Sequence, residues 1–324
     1  MKSVPSAIPR FILTRLGLAI ITLIMLSVIV FVGAQMMPGD VAHQILGGTA
    51  DPRAVAKLNA DLGLDRPPAA RYLEFIGGFL RGDLGTSYTL RSPIGPVLFD
   101  AVLQSLKLAA IAFCLVVPLG IGGGILAAMN EGRVVDRVIT TIGLSAMVIP
   151  EFVSGIILLL IFGVWLRVLP VTASAPSGSS FSIQLAYLVL PAIPLVFVLF
   201  GYIARVTRAS TIEVFNSDYV RTAILKGLPR RTVVRRHVMG NALSPTVTVI
   251  ATQIGYLFGG LVVIEILFNY HGIGLLIFSA TQGKDFPLLA DCVMVIGALY
   301  LTATLIADAI YSVLNPRIGV GAST

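Results

Sequence analysis

Long uncharged, apolar stretches separated by short polar segments form the dominant pattern of this chain. A bilayer core of about 30 Å needs about 20 apolar residues in a helix, and six stretches are long enough to meet that requirement. They are Leu16 to Gln35, the residues between Lys107 and Glu131, the residues between Arg137 and Arg167, Leu185 to Ala204, Thr246 to Leu267, and Cys292 to Leu314. The pattern predicts an all-α polytopic membrane protein with six transmembrane helices.

Two of these stretches need a closer interpretation. The first follows basic residues, as a signal peptide does, but its uncharged run from Leu16 to Gly39 exceeds the roughly 7 to 15 apolar residues of such a peptide. We therefore expect an uncleaved first helix. The third contains Pro150 and is too short for two spans and a turn, so we expect one helix that is kinked at this proline.

The charges of the connecting loops predict the orientation. Residues 205–237 hold eight Lys and Arg against two acids, whereas residues 40–100 hold six cations and seven acids. With six spans, the basic loop and both termini fall on one side, and the positive-inside rule makes that side cytoplasmic. The expected organisation is 1–35 for the N-terminus and first helix, 36–100 for a long extracytoplasmic loop, and 101–315 for a core of five helices that includes a cytoplasmic loop at 205–245.

The long external loop contains Tyr72, Phe75, Ile76 and Phe79 at helical spacing. One interpretation is a helix packed as a cap over the spans, and another is a docking surface for an external partner. The two are compatible, and the sequence leaves both open.

Composition supports the membrane interpretation. The chain is 56% hydrophobic and only 12% charged, against about 25% charged residues in soluble domains. Its net charge of +7 comes from short loops, so we attribute it to topology and expect no nucleic-acid partner. Cys114 and Cys292 are predicted to be small core residues. The three histidines are too scattered to predict a metal site.

The chain lacks the GxxxxGK[ST] loop that cradles nucleotide phosphates, so we expect no ATP hydrolysis by this chain itself. The glycine-rich segment GIGGGILAAMN at 120–130 lies inside the second span. There, close packing of helices is its expected role.

The segment 219–245, YVRTAILKGLPRRTVVRRHVMGNALSP, carries signals for a short helix among its cations. Asn216, Ser217 or Asp218 can cap the start, and Gly227 followed by Pro229 predicts the end. A helix of eight or nine residues is marginal in water by itself, so we expect it to pack against another surface.

Small residues define the expected contact face of this helix, since Ala223 and Gly227 lie four apart and allow close approach of another backbone. Thr232 is expected to cap a second helix that runs through Val238 and Met239 towards the fifth span. The alternative is a basic loop that only fixes topology and binds acidic lipid head groups.

At these residues the sequence resembles a known family. YVRTAILKG and RRHVMGNALSP are similar to the cytoplasmic loop of binding-protein-dependent ABC transporter permeases, in the oligopeptide, dipeptide and nickel branch. The superfamily's Glu-Ala-Ala triplet is here Arg221-Thr222-Ala223, which is similar to the form of that branch. RPPAARYLEFIGGFLRGDLGTS and VIEILFNYHGIGLLIFSATQGKDFPLL resemble two further segments, although His271 stands where the branch commonly has proline.

The resemblance implies a permease subunit in the bacterial plasma (inner) membrane that forms half of an import pathway and needs no cofactor. It implies three protein partners: a second homologous permease, cytoplasmic ATP-binding subunits, and an extracytoplasmic substrate-binding protein. Membrane lipid surrounds the spans. Dipeptides or oligopeptides are the preferred cargo, with nickel or another solute left open.

The resemblance also implies a role for the short helix, which in this family seats in a groove of the ATPase and transmits its closure to the spans. The seat would be formed by Arg221, Thr222, Ala223, Lys226 and Gly227. Residues 231–237 would form the arm leading to the fifth span.

Three acids fall within or at the edge of spans, where an ionised group is costly. They are Glu151, Glu265 and Asp308. Glu265 belongs to the family pattern and is expected to brace an outer gate. The other two would line a pathway or pair with a cation or with the backbone.

Two other functions compete with the permease interpretation. A secondary transporter or channel would use the membrane acids as ion sites, but such proteins commonly contain two related halves, and this sequence shows no internal repeat. A membrane scaffold without a transport role fits poorly with kinked, glycine-rich spans.

Overall fold

The computed structural model describes residues 7–36, 41–47, 49–176 and 178–314. Within these ranges the chain is almost entirely helical, with one isolated β-bridge between Thr86 and Pro93. Its helices are α1 (Ala7–Met36), α2 (Val41–Leu46), α3 (Pro52–Asp61), α4 (Pro68–Arg81), α5 (Ile94–Met129), α6 (Val134–Val148), α7 (Glu151–Leu158), α8 (Phe181–Phe215), α9 (Asp218–Leu225), α10 (Arg230–Val233), α11 (Met239–Leu267), α12 (Ile273–Gln282) and α13 (Phe286–Leu314). Two π-helical segments, Leu159–Trp165 and Val234–Val238, follow α7 and α10.

Five helices of the described part are long and apolar enough to cross a membrane, and there are up to six if a bent pair of helices is one span. The five are α1, α5, α8, α11 and α13, and the pair is α6 with α7 and its π-helical continuation. The all-α polytopic prediction is confirmed. Several helices extend beyond the uncharged stretches, as α5 already begins at Ile94 and α8 continues to Phe215.

The third apolar stretch is not the single kinked helix that we predicted. α6 ends at Val148, α7 begins at Glu151, and the two directions differ by 107°. Ile149 between them is extended, with φ −79° and ψ 121°, because the ring of Pro150 disfavours the helical conformation of the residue before it. One extended residue stops the helix completely, and Pro150 then serves as the N-cap of α7.

The chain divides into two compact units, and one of them consists mainly of Leu106–Tyr270. In this unit α8 packs against α6, α7 and α11. The second half of α5 also approaches α8 closely: a Cβ on Gly120 would lie 2.6 Å from Ile203, and one on Gly124 would lie 2.6 Å from the carbonyl oxygen of Ala204. These contacts confirm close helix packing as the role of the glycine-rich segment 120–130.

The other unit consists of Leu16–Ser105 and His271–Leu301. Its buried apolar cluster brings the start of α5 together with α12 and the start of α13, through Ile94, Leu98, Ile273, Ala280, Leu288 and Cys292. Ser105 accepts a hydrogen bond from the backbone N–H of Ile273 at 2.8 Å. The core position predicted for Cys292 is therefore confirmed, whereas the one predicted for Cys114 is wrong because that residue is exposed.

The helical spacing in the long external loop predicted α4 correctly. Tyr72 packs edge-on against Phe31 of α1, with ring centroids 5.3 Å apart, and its hydroxyl lies 2.8 Å from Ser27 Oγ. Phe75 stacks on the same Phe31 ring at 6.5 Å. α4 thus packs on the first span, as the cap interpretation requires.

Candidate functional site

The short helix predicted in the basic segment is present as α9, Asp218–Leu225, and has eight residues. Ser217 occupies its N-cap position, but no side chain caps the helix there. The Ser217 hydroxyl instead donates to the carbonyl of Val214 at 2.6 Å. The predicted position of the start is right, and the predicted side-chain cap is wrong, because the preceding helix offers that hydroxyl an acceptor of its own.

Gly227 ends α9 as predicted. Its φ of +77° lies in the left-handed region, its N–H donates to Ile224 at 2.9 Å, and the N–H of Leu228 donates to the carbonyl of Ala223 at 3.3 Å. This pattern is the Schellman motif. Nothing lies within 4 Å of a Cβ built on Gly227, so a side chain there would be strained by the backbone conformation rather than by a neighbour.

The surface that supports α9 belongs to this chain. Val220 and Ala223 are buried in a cluster with residues of α8, α10 and α11 and of the π-helical segment, namely Val233, Val238, Ala242, Val214 and Phe215. Ala223 therefore faces inward, and it does not form an outward face with Gly227. The expected support for a marginal helix exists, but the chain provides it itself.

The opposite face of α9 is exposed and mixed in character. Leu225 is 79% exposed and Ile224 is 56% exposed. Four of the five residues of the predicted seat are also exposed, namely Arg221, Thr222, Lys226 and Gly227. The Thr222 hydroxyl donates to the carbonyl of Asp218 at 2.8 Å. This face combines apolar side chains with cations, and no residue of it contributes to the buried cluster behind α9.

The second helix of the segment begins earlier than predicted. α10 starts at Arg230, so Thr232 lies inside it, and the predicted cap at Thr232 is wrong. Pro229 precedes the first turn and its carbonyl accepts from the N–H groups of Thr232 and Val233, at 2.8 and 3.1 Å. The helical backbone then continues through Val234–Val238 into α11. Within the predicted arm, the side chains of Arg231, Arg235 and His237 lie outside the described part of the structure.

The three predicted membrane acids have different surroundings. Asp308 forms an ion pair with Arg15 of α1, at 3.3 Å from its Nε, which matches the expectation of pairing with a cation. Glu151, at the start of α7, lies over α11, since its Oε1 would be 3.3 Å from a Cβ on Gly260. Glu265 is completely buried near the end of α11.

The turn after Glu265 forms although His271 replaces the proline of the family pattern. Asn269 adopts φ +48°, and the N–H of Tyr270 donates to the carbonyl of Glu265 at 2.8 Å. Burial raises the pKa of the Tyr270 phenol, and the Glu265 carboxylate adds to that rise. The phenol is therefore neutral beside this carboxyl group at ordinary pH. Asparagine tolerates the left-handed conformation, so no proline is needed here.

Sequence reasoning missed a buried ion pair between α6 and α8. Asp136 is 4% exposed and accepts from Arg208 twice, from Nε at 2.5 Å and from Nη2 at 2.7 Å. The backbone N–H of Gly132 donates to the same carboxylate at 2.9 Å. In the sequence, Asp136 lies outside the third apolar stretch, and Arg208 was counted among the topological charges.

A second missed feature joins the external loop to the turn between α12 and α13. Asp285 is completely buried and its Oδ2 accepts from Ser87 Oγ at 2.5 Å, from Thr89 Oγ1 at 2.7 Å and from Thr89 N at 2.9 Å. A Cβ on Gly283 would lie 2.7 Å from Thr89 Cγ2, so the loop sits tightly on this turn. Asp285 was part of the family pattern, but nothing local to it indicated these partners.

Metal binding is not supported by the described residues, among which no group of three or more His, Cys, Asp or Glu side chains could hold an ion. The membrane acids are likewise not assembled into an ion site: Asp308 is engaged by Arg15, and Glu151 lies over α11. The candidate site is instead the exposed outer face of α9, whose inner face is buried against residues of α8 and α11.

Comparisons with known proteins cover nearly the whole chain. The sequence model described as "Binding-protein-dependent transport system inner membrane component" matches residues 120–320, and the corresponding N-terminal model matches residues 8–115. A probable peptide ABC transporter permease protein of Sinorhizobium fredii is 33% identical over 308 residues, which are 95% of this chain and 98% of that protein. The dipeptide transport system permease protein of Escherichia coli K12 is also 33% identical, over 333 residues and with the same coverage.

Two further proteins extend these comparisons. The glutathione transport system permease protein of Escherichia coli K12 is 33% identical over 309 residues, 95% of this chain and 98% of that protein. Among solved structures, an amino acid ABC transporter crystallised with histidines matches 68% of this chain and 94% of its own, with a TM-score of 0.49 and 16% identity. This last likeness is too distant to add to the assignment.

Proposed function

This chain belongs to the family of binding-protein-dependent transport system inner membrane components, and we propose that its cargo is a peptide. It is a multi-pass inner-membrane permease subunit of an ABC importer and not an enzyme. The family implies association with ATP-binding and substrate-binding components. Support for a peptide cargo comes from the names of the relatives, which are permeases for a peptide, for dipeptides and for glutathione.

The observation that carries our proposal for coupling is the two-sided character of α9. Its inner face, Val220 and Ala223, is buried with residues of α8 and α11. Its outer face exposes Arg221, Ile224 and Leu225. A protein that grips the outer face would move a helix that is firmly attached to the cytoplasmic ends of two spans.

This arrangement gives a physical route for coupling. ATP binding changes the ATPase partner, and only a difference in its interaction with the two permease states can shift the balance between them. Interactions at Arg221, Thr222 and Lys226 on the outer face would supply that difference. Ala223 would act from behind by anchoring the helix, and Gly227 would act by ending it. The resulting motion is a rocking of packed helices rather than a local change.

The remaining assignments complete the proposed importer. A second homologous permease and membrane lipid would cover the apolar residues of α1, of whose most apolar window only 6% is buried within this chain. The loop 36–100 would meet the substrate-binding protein, and the core 101–315 would form half of the pathway. Glu265 would brace the outer gate through the turn at Asn269 and Tyr270. Glu151 would contact α11 at Gly260.

The coupling proposal can be tested at Leu225. Burying a leucine at an interface contributes about 1.5–3 kcal/mol, so we expect Leu225→Ala to weaken association with the ATP-binding subunits by about tenfold or more. The first measurement is co-purification of the ATP-binding subunits with the permease in detergent, at a series of protein concentrations. The second is peptide uptake in cells that lack the wild-type permease.

Leu80 provides a matched control, because it is 80% exposed but lies on α4 in the external loop. Leu80→Ala should leave association with the ATPase unchanged, and both variants should insert into the membrane at wild-type levels. Normal ATPase association of Leu225→Ala would show that the outer face of α9 is not the seat. Coupled uptake of a solute other than a peptide would instead refute the proposed cargo.

A further inference from the structure

A large cleft lies within the unit formed by Leu16–Ser105 and His271–Leu301. Its volume is about 960 Å³, within the range of about 300–1,000 Å³ that is usual for small-molecule sites. The end of α1, the turn after α3, α4, the loop that follows it and the start of α13 form the walls. The predicted topology places these elements on the extracytoplasmic side, where cargo arrives.

Asp291 is the unusual residue of this cleft. It lines the cleft and is only 2% exposed. Among the described residues its carboxyl group has neither a hydrogen-bond donor nor an ion-pair partner, and its nearby charged group is another acid, Asp285. A buried carboxylate is costly unless a donor or a cation satisfies it.

Asp285 cannot relieve this cost, and it adds to it. Its own oxygen accepts three hydrogen bonds from Ser87 and Thr89, which are neutral groups and leave its negative charge uncompensated. Asp291 is the sixth residue of α13, about 8 Å from the start of that helix at 1.5 Å per residue. The cleft lining therefore contains one buried acid, Asp291, and a second buried acid, Asp285, lies nearby. Neither forms an ion pair with a cation among the described residues.

The rest of the cleft is suited to an organic ion rather than to a metal. Phe31 and Phe75 contribute aromatic surface, and Arg71 and Arg81 contribute positive charge. Arg66 is already paired with Glu74 at 2.6 Å. The described residues contain no cluster of side chains that could hold a metal ion. A group of aromatic, cationic and anionic side chains around one cleft complements a molecule with an ammonium group, a carboxylate and apolar side chains.

We propose that Asp291 binds the primary ammonium group of the cargo, which for a peptide is its N-terminus. This inference rests on the proposed peptide cargo. The carboxylate of Asp291 accepts hydrogen bonds from the ammonium group, the arginines of the cleft attract the C-terminal carboxylate, and the aromatic rings contact the side chains. The cleft then binds the peptide by its N-terminus after the substrate-binding protein has released it and before it crosses the membrane.

The test uses the assembled transporter, purified in detergent without its substrate-binding protein so that only the transporter's own affinity is measured. The probes are a dipeptide amide, which carries an ammonium group, and its N-acetylated form, which does not. Saturation-transfer NMR reports binding in the weak range. For the wild type we expect binding of the dipeptide amide and about tenfold weaker binding of the acetylated form, as loss of one charge-assisted hydrogen bond predicts.

Three variants of the transporter sharpen this test. Asp291→Asn keeps the shape but removes the charge, and should bind the dipeptide amide about tenfold more weakly. Asp291→Glu keeps the charge and should recover most of the affinity. Asp65→Asn neutralises an exposed acid on the same cleft and should bind like the wild type. If Asp291 is simply protonated and structural, Asp291→Asn will also bind like the wild type, and the inference is overturned.

Uptake into proteoliposomes with the substrate-binding protein present separates this inference from the proposed function. Peptide uptake together with absent or charge-independent binding in the cleft overturns the ammonium site and leaves the peptide importer standing. Ammonium-dependent binding at Asp291 without peptide uptake refutes the peptide cargo and assigns the site to another amine. Failure of both measurements overturns both proposals.

Discussion

Asp136 and Asp285 are both buried aspartates, and the chain satisfies them in opposite ways. Asp136, in the unit that contains α6 and α8, meets a guanidinium group that donates two hydrogen bonds from Arg208. Asp285, in the other unit, meets two hydroxyl groups and one backbone N–H from residues 87–89. The geometry of hydrogen bonding is complete in both places, but only the first site is electrically neutral.

This difference separates an acid that only holds two helices together from an acid whose charge is not cancelled by a cation. A paired Asp and Arg have no remaining charge to offer, so the Asp136 site can only hold α6 to α8. Neutral donors fix the Asp285 side chain and the loop 87–89 without cancelling the charge. A second carboxylate, Asp291, then lies nearby with no partner among the described residues. The hydrogen bonds that tie the loop to the turn do not involve this second acid.

The largest effect in this comparison is expected for Arg208→Leu. Removing one partner of a buried ion pair leaves the other charge uncompensated, which typically costs about 3–5 kcal/mol. Since the Arg208 side chain is 29% exposed, water can reach part of the site, and we expect about 3 kcal/mol of lost unfolding free energy. Equilibrium unfolding in detergent micelles measures it.

Arg205 is the control for this variant, because it lies on the same helix and is exposed. Arg205→Leu should change the free energy of unfolding by no more than about 0.5 kcal/mol. Equal losses in the two variants would mean that the pair with Asp136 contributes no more than any exposed arginine of α8, and the distinction drawn between the two aspartates would fail.

A smaller effect is expected for Asp285→Asn. The three donors share Oδ2, so the amide oxygen of asparagine can still accept them, but the hydrogen bonds lose their charge assistance. Its NH₂ group then faces the N–H of Leu288, which donates to Oδ1 at 3.4 Å, and we expect a total loss of about 2 kcal/mol. Hydrogen exchange should show the reason directly, because the Thr89 amide would lose protection. Asp100→Asn, at an exposed position of α5, serves as the control. Unchanged protection of both the Thr89 and the Leu288 amides in Asp285→Asn would contradict the described hydrogen bonds.

These contacts also show where sequence reasoning stops. Apolar length predicted the spans, since every stretch must cover a fixed bilayer thickness. Pairs such as Asp136 with Arg208, 72 residues apart, and Ser87 with Asp285, 198 apart, depend on how helices pack, and no local pattern contains that information. The same limit explains the error at Ile149, where a local rule for proline predicted a kink and the chain instead breaks.

The short helix α9 shows the limit within a single element. Its length and its end at Gly227 were predictable, because a left-handed residue after a helix favours glycine. The surroundings predicted for its small-residue face were wrong, since Ala223 and Gly227 were expected to form one contact face for another backbone. The burial of Ala223 follows from Val233, Val238 and Ala242, whose positions the sequence does not give.

The smallest effect expected is that of Thr89→Val, which removes one of the three neutral donors to Oδ2 of Asp285 and keeps the shape of the side chain. The backbone N–H of Thr89 still donates at 2.9 Å, and Thr89 is exposed, so water can replace the lost hydroxyl. We expect about 0.5–1 kcal/mol of lost unfolding free energy, well below the loss in Asp285→Asn. Ser87→Ala should cost more, because Ser87 is 2% exposed and water cannot reach its place. If Thr89→Val costs as much as Asp285→Asn, the carboxylate is held by this one hydroxyl, and the loop is fastened by a single bond instead of by the shared set of donors that distinguishes it from the Arg208 pair.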